Sequence, residues 1–396
     1  MKHQIDIKFP YFVGKIPFYH QILNMPYNNN FPDFVDFTLD INNQTGLLVQ
    51  KYDIEIEDML KNAYVQGSQI IGYMDEYDLG VKYTQDFLNF ILKHESSVNI
   101  CTILEIGCGT GYLLHKLKQK GATVIGIEPG GENIPRNRAN DIQIINDYYP
   151  SQNIKDEFDI IIFSNVLEHI KDPKEFLTHV SKQLKANGRI YCSVPNCEIP
   201  IKYGDISMLI HEHYNYFVDK TLENTFLNSI KCKVNIEKSS FGSQLYALIN
   251  KSEDNSNSYN CLESLELVAL EYINKISRTE LLFTNFLLYI KENQKKLGIY
   301  VPARAMNMLS KIFNEIIVED IVFIDDDENI TGKYFPGFNN KIYNKNHLKD
   351  FSLDYILIMS YTFGEEIKES IKSKIHNDCK IIKYEELFGG KGEWEL

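Results

Sequence analysis

Ile103-Leu104-Glu105-Ile106-Gly107-Cys108-Gly109-Thr110-Gly111-Tyr112-Leu113 is the stretch on which the fold turns. An apolar run of strand length, Thr102–Ile106, enters a turn with glycines at every second position. It leaves as a segment of helical spacing, about Tyr112–Lys120. Glycine lets the backbone take unusual dihedrals and lets a ligand approach the main chain. A dinucleotide site would need G-x-G-x-x-G, with the second glycine making room for a pyrophosphate. The spacing here is G-x-G-x-G, and the bulky Tyr112 stands where the third dinucleotide glycine would be, which argues against NAD.

Working outward, strand-length runs alternate with helical segments. Ala122–Ile127, Ile142–Ile145, Asp159–Ser164 and Arg189–Val194 read as strands, and Ile134–Asn140 and Pro173–Leu184 as helices, after a first helix within Tyr83–Leu92. Repeated βα units with short connections predict a buried parallel sheet covered by helices. The second strand, Val124-Ile125-Gly126-Ile127-Glu128-Pro129-Gly130, ends in a carboxylate 21 positions after Gly107. A carboxylate at that tip can accept both hydroxyls of a ribose. Asn146-Asp147-Tyr148-Tyr149 follows the third strand, and Phe158–Ser164 delivers Asn165 at the end of the fourth. Leu184-Lys185-Ala186-Asn187-Gly188-Arg189-Ile190 reads as the turn before the fifth.

The pattern E-x-G-x-G-x-G, with the other pieces in order behind it, resembles the class I S-adenosylmethionine (SAM)-dependent methyltransferases. The resemblance implies an α/β fold with a Rossmann-like parallel sheet and SAM as cofactor. It also implies that Glu105, Gly107, Gly109, Gly111, Glu128, Pro129, Asp147 and Asn165 hold that cofactor. SAM carries no phosphate, and its amino acid end and ribose need a close, neutral backbone surface. The competing reading is a degenerate Rossmann sheet that binds nothing.

A second constellation is Ile210-His211-Glu212-His213-Tyr214-Asn215-Tyr216-Phe217. Imidazole titrates near neutrality and a neighbouring carboxylate raises its basicity, so these residues suit proton transfer. His211 and His213 could instead ligate zinc, or be satisfied structurally. But H-x-H needs further ligands, and no cysteine pair or distal H-x-x-H appears, so no metal is expected. E-H-x-x-Y-F after a SAM domain is similar to the deoxysugar C-methyltransferases, which methylate a carbon beside the ketone of a nucleotide-linked 4-keto sugar. That resemblance implies His213 as the base, with Glu212 tuning it, and Tyr216, His211 and Arg304 near the substrate. It adds His169 of Leu167-Glu168-His169-Ile170 as a residue near the sugar, and Tyr64 of Ala63–Ser68 as a residue closing over the cofactor. Leu297-Gly298-Ile299-Tyr300-Val301-Pro302-Ala303-Arg304 and Val322–Asp327 with Gly332–Gly337 extend the likeness to a second nucleotide-binding-like unit. Two departures stand out: the zinc cysteines that open that family are missing from residues 1–80, and most glycines of the 297–304 segment are replaced.

These readings divide the chain into an irregular N-terminal capping module (1–80), a SAM-binding domain (81–250), a helical connector (251–296) and a Rossmann-like C-terminal α/β domain (297–396). The 396-residue length agrees with more than one core. Lys plus Arg is 41 against 54 Asp plus Glu, a formal charge of −13 with no compensating basic block, so nucleic acid is a poor partner. No run is long enough to span a bilayer, and the start, Met1 to Asp6, lacks the apolar run of a signal peptide. Seven cysteines without a C-x-x-C pair fit reduced thiols in a cytoplasm. The expected function is C-methylation of a nucleotide-linked keto sugar; O- or N-methylation of another small polar metabolite and a non-catalytic scaffold are the alternatives.

Overall fold

Successive side chains of a strand point to opposite faces, so a sheet with helices on both sides needs apolar residues at consecutive positions. Phe158–Ser164 obeys this: Ile160 and Ile162 enter one core cluster, Ile161 and Phe163 the other. The structure is a computed structural model that describes residues 9–18, 22–25, 31–51, 54–65, 78–130, 142–252, 262–312 and 320–389.

In chain order the elements are β1 (Tyr11–Pro17), β2 (Phe34–Asn42), β3 (Leu47–Gln50), α1 (Ile54–Val65), α2 (Asp78–His94), β4 (Thr102–Ile106), α3 (Tyr112–Gln119), β5 (Thr123–Ile127), β6 (Gln143–Ile145) and β7 (Phe158–Ser164). They continue with α4 (Pro173–Lys182), β8 (Leu184–Pro195), α5 (Glu198–Tyr203), β9 (Asn215–Tyr216), α6 (Asp219–Ser229), β10 (Cys232–Lys238), β11 (Gln244–Lys251) and α7 (Leu262–Glu292). Last come β12 (Leu297–Tyr300), α8 (Met306–Ile312), β13 (Val322–Asp325), β14 (Ile342–Asn344), β15 (Tyr355–Ile358), α9 (Gly364–Ile371), β16 (Lys380–Lys383) and α10 (Tyr384–Phe388). They pack as two compact units, one of Asp40–Glu198 with Glu212–Leu267, the other of Met1–Leu39, Ile199–His211 and Val268–Leu396.

The first of these units is built on a seven-stranded sheet of order β10-β11-β8-β7-β4-β5-β6. Strands β4 to β8 run parallel, while β11 pairs antiparallel with both β8 and β10. Strand order reverses at β4, so the crevice beyond the ends of β4 and β7 is where such sheets bind ligands. Tyr83, Phe87 and Ile91 of α2 pack with Leu114 and Leu117 of α3 on one face; Leu177 and Val180 of α4 pack with Leu222 and Phe226 of α6 on the other. Asp172 starts α4 by accepting the Glu175 N–H at 2.9 Å, with Pro173 in the first turn, where its missing N–H costs nothing.

The other unit carries a parallel sheet of order β14-β13-β12-β15-β16. Residues 199–211 are tied into it by side chains from the 302–312 region. Arg304 pairs with the fully buried Asp205 carboxylate at 3.1 Å and lies over the Tyr361 ring at 3.9 Å. Asn307 donates to the Ile206 and Leu209 carbonyls at 2.6 and 2.7 Å.

Two expectations change. Residues 1–80 are not irregular throughout, because β1 and β2 pair antiparallel and bury Val13, Ile16, Phe37 and Leu39. Pro10 precedes β1 and Pro17 ends it, places where a missing N–H breaks no ladder bond. The turn expected over 184–190 belongs to β8, where residues 185–188 bulge between the Phe158↔Leu184 and Ile160↔Arg189 pairs. The segment 262–292 is one helix. The helix expected at Ile134–Asn140 lies outside the described residues. Among the described residues no helix is long and apolar enough to cross a membrane.

Candidate functional site

The glycine turn sits at the end of β4 and opens α3. Gly107 and Gly109 take φ of +69° and +48°, where side chains are strained, and the two positions differ in surroundings. A Cβ on Gly107 would meet Val166 Cγ2 at 2.5 Å, whereas a Cβ on Gly109 would meet nothing within 4 Å among the described residues. Gly107 is bare because the fold is tight there; at Gly109 no described residue crowds the bare backbone. Gly111, also at positive φ, is the residue on which α3 begins.

The two carboxylates of the turn divide the work. Glu128, at the tip of β5, accepts the Gly109 N–H at 3.0 Å and the Gly130 N–H at 2.8 Å, which draws the turn over the strand end. Pro129 makes the bend between them. Glu105 is buried, 2% exposed, and burial, then the charge of Glu128, hold its carboxyl well above the ordinary carboxylate range. The Leu114 N–H bonds to it, yet its buried Oε2 has no hydrogen-bond partner among the described residues. At the end of β7, Asn165 takes φ +52°, its N–H donates to the Ser193 carbonyl at 2.9 Å, and its buried Oδ1 likewise has no partner among the described residues. A left-handed asparagine with an orphaned oxygen is strain of the kind found at binding sites.

Two further segments are stitched together beside Asn165. The turn Leu167–His169 follows it directly, and residues 212–216 lie against that turn. The buried Asn215 amide donates to the Leu167 and Ile170 carbonyls at 3.1 and 2.7 Å, and the Tyr214 N–H donates to the Glu168 carbonyl at 2.7 Å. His169 Nδ1 lies 2.8 Å from the Glu212 carbonyl, which places the proton on Nδ1 and leaves Nε2 as the basic nitrogen. The His169 and His213 rings meet edge to face at 4.7 Å, and His169 Nε2 is 4.0 Å from Glu168 Oε1. Burial pushes Glu168 up to about 8 and Glu212 up to about 7, while it lowers His169 against the opposing pull of the Glu212 carbonyl.

The methyltransferase-domain family profile matches residues 74–229. A second profile, described as C2185-like, N-terminal, matches residues 293–382. Residues 74–229 are a class I SAM-dependent methyltransferase domain. Curated relatives of this domain include the ubiquinone biosynthesis O-methyltransferase of Erwinia tasmaniensis, 26% identical over 117 residues, 28% of this chain and 48% of that enzyme. The enzyme of that name from Bradyrhizobium diazoefficiens is 34% identical over 100 residues, 24% of this chain and 40% of its own. The chain thus spans about half the length of the curated relatives it matches, or less. Among solved structures, the magnesium protoporphyrin IX methyltransferase of Synechocystis matches with a TM-score of 0.39 at 12% identity, covering 51% of this chain and all of that one. The 1,6-didemethyltoxoflavin-N1-methyltransferase of Burkholderia thailandensis matches with a TM-score of 0.40 at 13% identity, covering 52% of this chain and 96% of that one.

Within the methyltransferase domain the glycine turn, Glu105, Glu128 and Asn165 line one strand end, and Glu212 and His213 join His169. The residues present fit SAM: a bare backbone opens at Gly109, and the orphaned oxygens of Glu105 and Asn165 want donors such as an ammonium or a hydroxyl. Four expected site residues already have partners within the protein. The Asp147 carboxylate is occupied in its own loop, accepting from Tyr148 N–H, Ser151 Oγ and Asn153 Nδ2, so it shapes the loop after β6. The Tyr216 ring is 1% exposed, in a strand pair with Leu48 and 6.3 Å from the His213 ring, which makes it a wall behind His213. His211, 1% exposed, packs against Phe18 and Phe37 in the other unit. Arg304 is held there by Asp205, so its charge is already balanced and serves the packing of that unit. The side chain of Tyr64 lies outside the described residues. Sequence reading passed over Glu168, one residue before a chosen histidine, and Asn215, inside the quoted segment; only the stitch between the two segments reveals them.

Proposed function

We propose that this chain transfers the methyl group of SAM to a small molecule, and that the acceptor is a carbon beside the ketone of a nucleotide-linked keto sugar. Glu128 would take the ribose hydroxyls, the Gly107–Gly111 backbone the amino acid end, and Asn165 the cofactor at the close of β7. SAM supplies the electrophilic methyl. His213 would accept the proton α to the carbonyl, which makes that carbon the nucleophile toward the methyl that bound SAM would supply, a neutral thioether being what remains of the donor.

The observation carrying this reading is the histidine pair, His169 against His213 at 4.7 Å, fixed beside Asn165 at the strand end. Support for the acceptor class is the E-H-x-x-Y-F segment itself. The names of the curated relatives favour a second reading, in which the same base takes a hydroxyl proton and oxygen is methylated. Incubation of the full chain with methyl-13C SAM and a panel of nucleotide-linked 4-keto sugars separates them, since methyl carbons bonded to carbon and to oxygen resonate tens of ppm apart. No methylated product and no S-adenosylhomocysteine (SAH) binding at hundreds of micromolar would end both readings.

A further inference from the structure

We propose that Glu168, His169 and His213 form a binding site for a divalent transition-metal ion. Their ligand atoms lie within 4.8 Å of one another. A tetrahedral ion with bonds of about 2.0–2.1 Å holds its ligands roughly 3.4 Å apart, so side-chain adjustments of about an ångström close the set. The expectation of no metal rested on H-x-H lacking further ligands; the turn after β7 supplies them from a distant part of the chain.

Three details point to an ion. Glu168 is 1% exposed, and among the described residues its buried Oε2 has no hydrogen-bond partner. Such an oxygen is costly unless something electropositive meets it. The other oxygen of Glu168, Oε1, lies 4.0 Å from His169 Nε2, and the buried Cys192 and Cys197 thiols also feel its charge. His169 Nδ1 is already turned to the Glu212 carbonyl, the outer contact that fixes a metal-binding imidazole with its other nitrogen free to ligate. The His169 side chain keeps 29% of its surface exposed, so the set can be reached from one side. Two imidazoles and one carboxylate leave a coordination position open, the arrangement of sites that act on a bound ligand.

Placed there, the ion would hold the acceptor's oxygen and stabilise the negative charge that develops as its proton leaves. That role rests on the methyl-transfer reading; the binding of the ion does not. With the ion in place the His213 nitrogen is a ligand and is not the base, so the proton-accepting role given to it above belongs to the metal-free form.

The test is titration of the tag-free full chain with Co2+, followed by its visible d–d absorption. One equivalent should bind with a Kd of micromolar or below, and E168Q, H169A and H213A should each weaken it at least ~30-fold. Near-UV circular dichroism and SAH binding show that each variant is folded. No Co2+ absorption in the folded parent, or equal Co2+ affinity in the folded variants, overturns the site. SAH binding in the same samples reports separately on the methyl-transfer reading.

Discussion

Two glycines two positions apart should fail in different ways. Gly107→Ala adds a methyl group 2.5 Å from Val166 Cγ2 on a backbone at φ +69°, so clash and strain add. Gly109→Ala carries left-handed strain, worth about 1–2 kcal/mol, and no described residue lies within 4 Å of its Cβ. Chemical denaturation should therefore show Gly107→Ala as the less stable variant by about 1 kcal/mol or more. Calorimetry should show Gly109→Ala losing SAH affinity ~10-fold or more while it stays folded, since its methyl fills the surface the cofactor needs. Unchanged affinity in Gly109→Ala would remove the cofactor from that surface. A titration prediction belongs to Asp325, at the end of β13, which burial pushes up to about 6. An acid whose pKa rises on folding disfavours the folded state as it ionises. The cost is absent below the unfolded value near 4, grows as pH rises towards 6, and is then constant. Asp325→Asn escapes it, because an amide oxygen can still accept the Asp327 N–H. Its stability advantage should be near zero at pH 4 and reach at most about 3 kcal/mol by pH 7. An advantage independent of pH would contradict the assignment.

At the scale of elements, the site depends on how the turn after β7 is pinned to β9. Asn215→Ala removes both amide donors to the Leu167 and Ile170 carbonyls and leaves buried acceptors unpaired, at about 1–3 kcal/mol. The glycine turn is untouched, so SAH affinity should hold while turnover falls ~10-fold or more as the histidine pair loses its placement. A parallel loss of SAH affinity would mean the residue supports the whole strand end instead. The same region explains what a sequence can tell. The β4–α3 turn and the alternation of β7 are legible because backbone period and glycine chemistry act over a few residues. The strands β1 and β2 were hidden because prolines at strand ends look like breakers. Glu168 was hidden because its importance depends on residues some 45 positions away, where Asn215 holds the turn. Arg304 shows the converse limit: a cation in a phosphate-like segment says nothing of the Asp205 carboxylate it pairs with.

At the scale of the whole molecule, the two units are not consecutive in sequence, and this decides which pieces can fold. The unit containing β12 to β16 draws on Met1–Leu39 and Ile199–His211 as well as Val268–Leu396. A fragment of 268–396 would leave Arg304 without Asp205, Asn307 without its two carbonyls, and Tyr334 without its paired backbone bonds to Leu23. Stranding one partner of a buried ion pair costs about 3–5 kcal/mol, a large share of the 5–15 kcal/mol that holds a typical domain together. The fragment should therefore melt broadly, without a cooperative transition, even though it includes the complete five-stranded parallel sheet. Asp205→Ala in the full chain reproduces one part of that loss and should lower stability by about 3 kcal/mol or more. A sharp transition in the isolated fragment, together with a full-chain Asp205→Ala as stable as the parent, would show that the sheet carries this unit alone and that the 199–211 segment merely rests on it.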